Sequence, residues 1–256
     1  MTSTAPQDIA QLLHRAHSGG ARPVSTGWPL HAPADAYAVQ DATLAALGPI
    51  GGWKVGASGP DVTPHCAPLP KPWIFDSGAV LSGAKYPARL VELEVALRVG
   101  PEALHVTRDM PTPAELAQCF DAVVPTIELV ESRLAEGRDA LALARLADLQ
   151  SHGALIVGAP ASMTAPAEPL LDLRTVQAVL WFGDQCAART TGGNPAQDVW
   201  RMVGWLARHC TERGVPLLRG QIVTTGSCTG LLAARAGQAV RGEVAGIGTV
   251  ALRFGT

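Results

Sequence analysis

The chain has 256 residues, 47% of them apolar and 16% charged, and its 20 basic and 22 acidic side chains give a net charge of −2. Near-neutrality without any Lys/Arg cluster argues against nucleic acid and against an anionic membrane surface as partners. A chain of this length buries roughly 70–75% of its unfolded surface, so it can fold without a disulfide or metal staple, as one large domain or as one with an appendage.

Thr4 or Ser3 is placed to cap a first helix, with Pro6 in its first turn, Ile9, Leu12 and Leu13 as its buried stripe, and Ser18-Gly19-Gly20 as its stop. The segment from Met1 to Leu13 carries Asp8 and no apolar h-region, so no signal peptide is expected there, and no uncharged apolar run reaches spanning length. A second helix should run from near Pro33 to about Leu47, before Gly48-Pro49. Gly52-Trp53-Lys54-Val55-Gly56 reads as a short apolar strand, with Lys54 either snorkelling at its edge or held there for chemistry. Residues 59–72, with prolines at 60, 64, 68, 70 and 72, read as an irregular loop or junction.

Residues 91–99 are a strand rich in valine and leucine, bounded by Pro87 and Gly100-Pro101. Alternation puts Val91, Leu93, Val95 and Leu97 on one face and Glu92 and Glu94 on the other. Two readings of that acidic pair stay open. Either the polar face is wet, or the carboxylates are buried and compensated by a hard divalent cation such as Mg²⁺ or Mn²⁺.

Thr112-Pro113-Ala114-Glu115 has capping-box spacing and predicts a helix to about Asp121. Val123–Val130 is a second strand, with Glu128 between Ile127 and Leu129, and residues 141–149 fit either helix or strand. Residues 154–158 and 176–182 read as strands. Asn194 is placed to cap a long helix opened by Pro195, with Val199, Met202, Val203 and Leu206 on one face and Gly214 as its stop. Residues 221–225, 240–244 and 248–254 read as short strands between glycine turns. This order is α+β rather than a regular βαβ alternation. No G-x-G-x-x-G, P-loop or G-x-S-x-G is present, which removes support for a nucleotide site or a serine-hydrolase elbow. Cys66, Cys119, Cys186, Cys210 and Cys228 are odd in number and widely spaced, which suits reduced thiols in a cytoplasmic protein. The low share of charged residues leaves surface for subunit contacts, so a homo-oligomer is expected.

Taken in order, several stretches resemble the 2-keto-4-pentenoate (2-hydroxypentadienoate) hydratases and the 4-oxalocrotonate decarboxylases of the fumarylacetoacetate hydrolase superfamily. They are 36–40 (AYAVQ), 52–56 (GWKVG), 91–94 (VELE), 125–133 (PTIELVESR), Ala147-Asp148 with Gly153 and Gly158, 205–207 (WLA), 225–227 (TGS) and 246–250 (GIGTV). They span nearly the whole chain. The resemblance implies an α-rich N-terminal region over 1–75 and a mixed β-roll or distorted-barrel catalytic core over 76–256, assembled as an oligomer. It implies a metal-dependent lyase acting on a short 2-oxo acid, with Glu92, Glu94 and Glu128 as ligands for Mg²⁺ or Mn²⁺. Hydration of 2-hydroxypenta-2,4-dienoate to 4-hydroxy-2-oxopentanoate comes first. Decarboxylation of a 2-oxo-enedioate and then acylpyruvate C–C hydrolysis follow, the last weakened because no H-x-x-E unit precedes Glu92. A non-catalytic oligomer that keeps the fold is the remaining alternative.

By the same resemblance Lys54 is the proton carrier, and Thr225, Gly226, Ser227, Asp148 and Ser151 are expected around the substrate. The chain departs from the family at three places. Residues 65–72 hold no acid, which leaves His65 or Lys71 as stand-ins or as solvated loop residues. The family's Asp-Asn-Ala reads Asp148-Leu149-Gln150, beside Ser151 and His152, which read as pocket residues or, for His152 by preference, as a surface or capping histidine. A Gly-His-Pro reads Gly193-Asn194-Pro195.

Overall fold

The computed structural model describes residues 6–101, 104–106, 109–162 and 171–255, so the expected capping role of Ser3 or Thr4 lies outside the described residues. An amphipathic helix α1 (Pro6–His17) and a second helix α2 (Pro33–Leu44) open the chain, and Ile9 and Leu13 of α1 and Ala36 and Val39 of α2 are buried in the same core. Strands β1 (Ile50–Gly56) and β2 (His65–Pro70) follow as an antiparallel pair. The proline-rich segment is thus irregular only over residues 59–64, and its second half is a strand. β2 lies at the rim of its sheet, where Pro68 and Pro70 forfeit no ladder bond on their free side. Short strands β3 (Ile74–Asp76) and β4 (Ala79–Leu81) lead into the long central strand β5 (Leu90–Val99).

Helix α3 (Pro113–Gln118) forms the expected capping box: the Glu115 N–H donates to the Thr112 hydroxyl and the Thr112 N–H to the Glu115 carboxylate. It stops short of Asp121 because β6 (Phe120–Val130) already begins there. Residues 141–149 resolve into a short helix α4 (Ala142–Ala147), followed by β7 (His152–Val157) and β8 (Ala161–Ser162). Then come β9 (Gln177–Phe182), β10 (Gln185–Thr191), α5 (Val199–Glu212), β11 (Ile222–Ser227), β12 (Leu232–Ala233), β13 (Ala239–Val244) and β14 (Gly248–Phe254). The cap of α5 is Asp198, which accepts from the Trp200 and Arg201 N–H groups. Asn194 is not its cap. It is buried, and its amide donates to the carbonyls of Thr225 and Gly226, pinning that loop.

Two sheets form the core. One runs β2-β1-β11-β5-β6-β7-β3, with β12 added beside β5 and β8 beside β6; the other runs β10-β9-β13-β14-β4. Neither closes on itself, so the architecture is an open, mixed α+β roll. Val91, Leu93, Val95, Leu97 and Val99 of β5 and Ile127 and Leu129 of β6 fill the space between the sheets. Contact there is close: a Cβ on Gly242 of β13 would meet Leu93 Cδ1 at 2.4 Å. The opposite face of the large sheet carries a second apolar cluster of Leu69, Ala96, Ala122, Val124, Leu155 and Ile222. That cluster matters for the site, because the acids of β5 and β6 share its face. Among the described residues no helix is long and apolar enough to cross a membrane.

Candidate metal centre

The ladder between β5 and β6 pairs Glu92 with Glu128 and Glu94 with Thr126. Like charges directly opposite one another across a strand pair are destabilising, and here they are also taken out of water. Glu94 is 2% exposed and Glu128 fully buried, while Glu92 is half-buried. One oxygen from each of the three lies within 4.8 Å of the others. Ala96, Val124 and Leu155 flank them on the same face, so Glu94 and Glu128 are dry and only Glu92 opens to a cavity. The wet-face reading of the acidic pair therefore fails.

Register explains how Lys54 arrives. β1 runs parallel to β11 with Lys54 beside Thr224, and Thr224 is beside Ala96 of β5, so all three share the glutamate face. Lys54 Nζ donates to Glu128 Oε1 at 2.6 Å and to the Gln150 carbonyl at 3.3 Å. A register shift at the start of β7, between the Leu129 and Val130 pairings, turns His152 to the same face. Its Nδ1 lies 2.9 Å from Glu128 Oε1 and its ring is fully buried, so His152 is neither a surface nor a capping residue. Leu149, Gln150 and Ser151 are three consecutive non-glycine residues in the left-handed region (φ 49, 51 and 58°). Such a run costs of order 1 kcal/mol or more per residue, and it aims the Gln150 carbonyl at Lys54.

The charges are unevenly served. Glu128 Oε1 has two donors, whereas its Oε2 is buried with none. Glu94 accepts from the Thr224 hydroxyl and, at 3.0 Å, from the Gly226 N–H. Burial, reinforced by Glu128 and Glu92, pushes Glu94 up to about 8, and burial with Glu128 likewise raises Glu92. Burial opposes the charge on Glu128 too, but the Lys54 ammonium and the His152 hydrogen bond outweigh it and hold that carboxyl below the usual range. Lys54 mirrors this: burial disfavours its charge, yet Glu128, Glu94 and Glu92 together keep the ammonium above its ordinary value. Three carboxylates thus converge on one lysine, with an acceptor left over. A divalent oxygen-seeking cation fits this donor set: three anionic oxygens, one buried and unpartnered, and no soft ligand.

The remaining sequence candidates divide. Gly226 reaches Glu94, and a register shift between Thr224 and Ser227 brings Ser227 opposite Glu94. Thr225 points the other way and donates to the Val95 carbonyl. Ser151 lines a cavity of about 400 Å³ that reaches Lys54, Glu92, His65 and Gln150 and is flanked by Arg138 and Arg145. Lys71 is exposed and does not line it. Asp148 is fully buried but turned to Arg133, whose N–H and Nε it accepts at 2.9 and 2.6 Å, and to the Ser132 hydroxyl. A separate cavity of about 500 Å³, near Arg22, Lys85, Trp73 and Tyr86, contains none of the three glutamates.

Of two further features at the site, the sequence offered the pocket reading of His152 only as the lesser alternative and gave no sign of the left-handed run. His152 depends on a bulge, which strand alternation does not foretell, and the left-handed run contains no glycine or asparagine to announce it.

No protein-family model matches the chain. Among curated proteins it is 28% identical over 264 residues, covering 98% of this chain and 97% of the relative, to 2-keto-4-pentenoate hydratase 2 of Dechloromonas aromatica (strain RCB). It is 25% identical over 178 residues to a 4-oxalocrotonate decarboxylase of Pseudomonas sp, covering 70% of this chain and 65% of that one. Among solved structures it superposes with a TM-score of 0.83 and 23% identity, over 97% of each chain, on 4-oxalocrotonate decarboxylase from Pseudomonas putida G7 complexed with magnesium and adipate. That likeness shows the fold.

Proposed function

We propose that this chain, a homologue of the 2-keto-4-pentenoate hydratases along its whole length, is a divalent-metal-dependent lyase acting on a short 2-oxo acid. The reaction is first of all the hydration of 2-hydroxypenta-2,4-dienoate to 4-hydroxy-2-oxopentanoate. The observation that carries this reading is the convergence of Glu92, Glu94 and Glu128 beside a buried lysine at the end of a cavity. In this reading the three glutamates hold Mg²⁺ or Mn²⁺, which when bound supplies Lewis acidity to the 2-oxo group of a chelated acid.

Lys54 does the proton work. Its Nζ sits beside the glutamates, is kept charged by them, and opens to the cavity. As the dienol becomes a conjugated ketone, C5 gains a proton and the 2-hydroxyl loses one; the Lys54 ammonium is placed to give the first and, as the amine so formed, to take up the second. Water then adds at C4, the position conjugate to the ketone. His152 and the Gln150 carbonyl orient Glu128 and Lys54 from behind. The Gly226 N–H holds Glu94, and Ser227 faces it, at the rim where the acid's own carboxylate would lie.

Decarboxylation of a 2-oxo-enedioate is a second reading, favoured by the two arginines that flank the cavity. The scattered, odd set of cysteines and the low charge content support a cytoplasmic homo-oligomer.

The test is to offer 2-hydroxypenta-2,4-dienoate and a 2-oxo-enedioate with Mg²⁺ or Mn²⁺, following water addition against CO₂ release. Lys54→Ala should lower turnover about 10²- to 10⁴-fold while Mn²⁺ still binds. Loss of the fold in that variant, or full turnover, would reduce Lys54 to a structural strand residue.

A further inference from the structure

Hydration of the dienol needs two proton cycles, and Lys54 completes only the first. Its ammonium gives a proton to C5 and takes one back from the 2-hydroxyl, so it ends that step charged, with Nζ held by Glu128 Oε1 and the Gln150 carbonyl. Water that bonds to C4 must then lose a proton, and C3 must gain one. An ammonium is no base for the first of these transfers. Of the titratable side chains that line the cavity, Glu92 belongs to the acidic trio, and Arg138 and Arg145 are guanidinium groups that do not give up their charge. Asp148 closes the loop that starts at Arg133 and is bound there, away from the cavity. Among the described residues this leaves one lining group capable of the transfer, the imidazole of His65.

Strand register puts that imidazole beside Lys54. In the ladder between β1 and β2, Lys54 is opposite Ala67 and Gly56 is opposite His65. Paired residues project to the same side of a sheet, as do residues two apart on one strand. His65 therefore shares the face of Lys54 and the glutamates. The two are diagonal neighbours, about 7 Å apart between backbones, which is within reach of long side chains. Gly56 brings no side chain to its pairing with His65, and a Cβ there would meet nothing within 4 Å, so the space beside the imidazole is open. His65 is the exposed first residue of β2, and Cys66 to Pro70 behind it are buried, which anchors the backbone that carries it. Among the described residues its ring makes no hydrogen bond or ion pair. Such a ring keeps its acceptor nitrogen for water.

We propose that His65 is a second catalytic residue, the base that activates the water added at C4. The imidazole takes a proton from that water as its oxygen bonds to C4. The electrons of the C3–C4 double bond shift to C2–C3, and those of the carbonyl shift to the 2-oxygen, giving an enolate. The imidazolium then returns the proton to C3 as the enolate becomes a ketone again, so nothing is oxidised or reduced and His65 ends neutral. The inference rests on the hydration reading above. It also separates that reading from loss of CO₂, which consumes no water and leaves such a base without a task.

The experiment follows 2-hydroxypenta-2,4-dienoate through each step with wild type, His65→Gln and His65→Glu, all loaded with Mn²⁺. The two variants have side chains of the same length, and only the second restores a base. His65 is exposed at a strand end, so neither change opens the core. In D₂O the Gln variant should ketonise the dienol as wild type does, placing one deuterium at C5, and then stop, so that 2-oxopent-3-enoate accumulates. Its water addition, measured also with 2-oxopent-3-enoate supplied directly, should fall about 10²- to 10⁴-fold, and His65→Glu should recover at least about 10-fold of that loss. Mn²⁺ affinity by calorimetry should not change. Water addition within about 3-fold of wild type in the Gln variant, or an equal loss of both steps, overturns the role of His65 while wild-type turnover keeps the lyase. A fall in Mn²⁺ affinity overturns it too, since His65 would then be a ligand. Wild type that ketonises the dienol but adds no water overturns His65 and hydration together and leaves the enolising end standing. Wild type that does neither overturns the lyase reading itself.

Discussion

Two buried clusters of charge lie close together in this molecule and are built on opposite plans. In the clamp at Arg133 and Asp148 every carboxylate oxygen has a donor, and the guanidinium also reaches the carbonyls of Glu131, His152 and Asp148. In the glutamate trio three acids share one lysine, one oxygen is buried without a partner, and Glu94 is driven toward its neutral form. A buried ion pair that is fully matched holds the chain in place and has nothing left to offer a ligand. A cluster that is under-compensated has free binding capacity, and its repulsion is tolerated because something positive comes to it. The resemblance to known enzymes assigned substrate to Asp148; the bonding pattern assigns it to the loop.

That contrast is broken most severely by Asp148→Ala. Removing one partner leaves the Arg133 charge stranded in the interior, and urea denaturation should register a loss of about 3–5 kcal/mol. A loss under about 1 kcal/mol would mean that the clamp is no more than decoration.

The opposite result is expected from Glu94→Gln. Without metal, the amide stands in for a carboxyl that its surroundings already push toward neutrality, and one member of a repelling trio is gone. The urea midpoint of metal-free protein should hold or rise, while Mn²⁺ affinity by calorimetry falls at least about 30-fold, near 2 kcal/mol. A variant that loses stability and keeps its metal affinity would place Glu94 with Asp148 among the scaffold residues.

How far the sequence could be read follows the same division. Same-face spacing of Glu92 and Glu94, and a third acid among the apolar residues of 123–130, are properties of strand period, and period is visible in residue order. What decides whether such acids are wet or dry is the apolar cluster of Leu69, Ala96 and Leu155 on their sheet face, gathered from three distant segments. The prolines of 64–70 hid β2, because proline is tolerated in a strand only where the sheet ends, and sheet order is a tertiary fact. Asn194 carried a capping signature that Asp198 fulfilled instead, four residues later, once Asn194 was needed to tie down the loop at Gly226. Arg138 and Arg145 lie on a stretch without clear period, and only the fold brings them to the same mouth.

A third kind of buried ionisable group sharpens the comparison at its weak end: one kept neutral, neither matched nor left wanting. His17 lies in α1 with its Nε2 buried and unpartnered, 4.7 Å between ring centroids from Trp73, and burial together with the nearby Arg133 lowers its pKa to about 2. The unfolded chain binds a proton near the ordinary value of about 6.5, so it takes up more protons than the folded one at every pH between the two values. The His17 contribution to stability should therefore be undiminished above about pH 6.5 and fall as pH drops through that value, by about 1–2 kcal/mol at pH 5. His17→Gln should flatten this acid limb in urea titrations at pH 5 and pH 7.5, whereas Glu94→Gln should steepen it, because a carboxyl held at about 8 in the fold binds more protons there than in the unfolded chain and offsets the loss. An acid limb unchanged by the His17 substitution would mean that the imidazole is hydrated in solution, and that His152 and His209, whose burial also lowers them, carry the acid sensitivity.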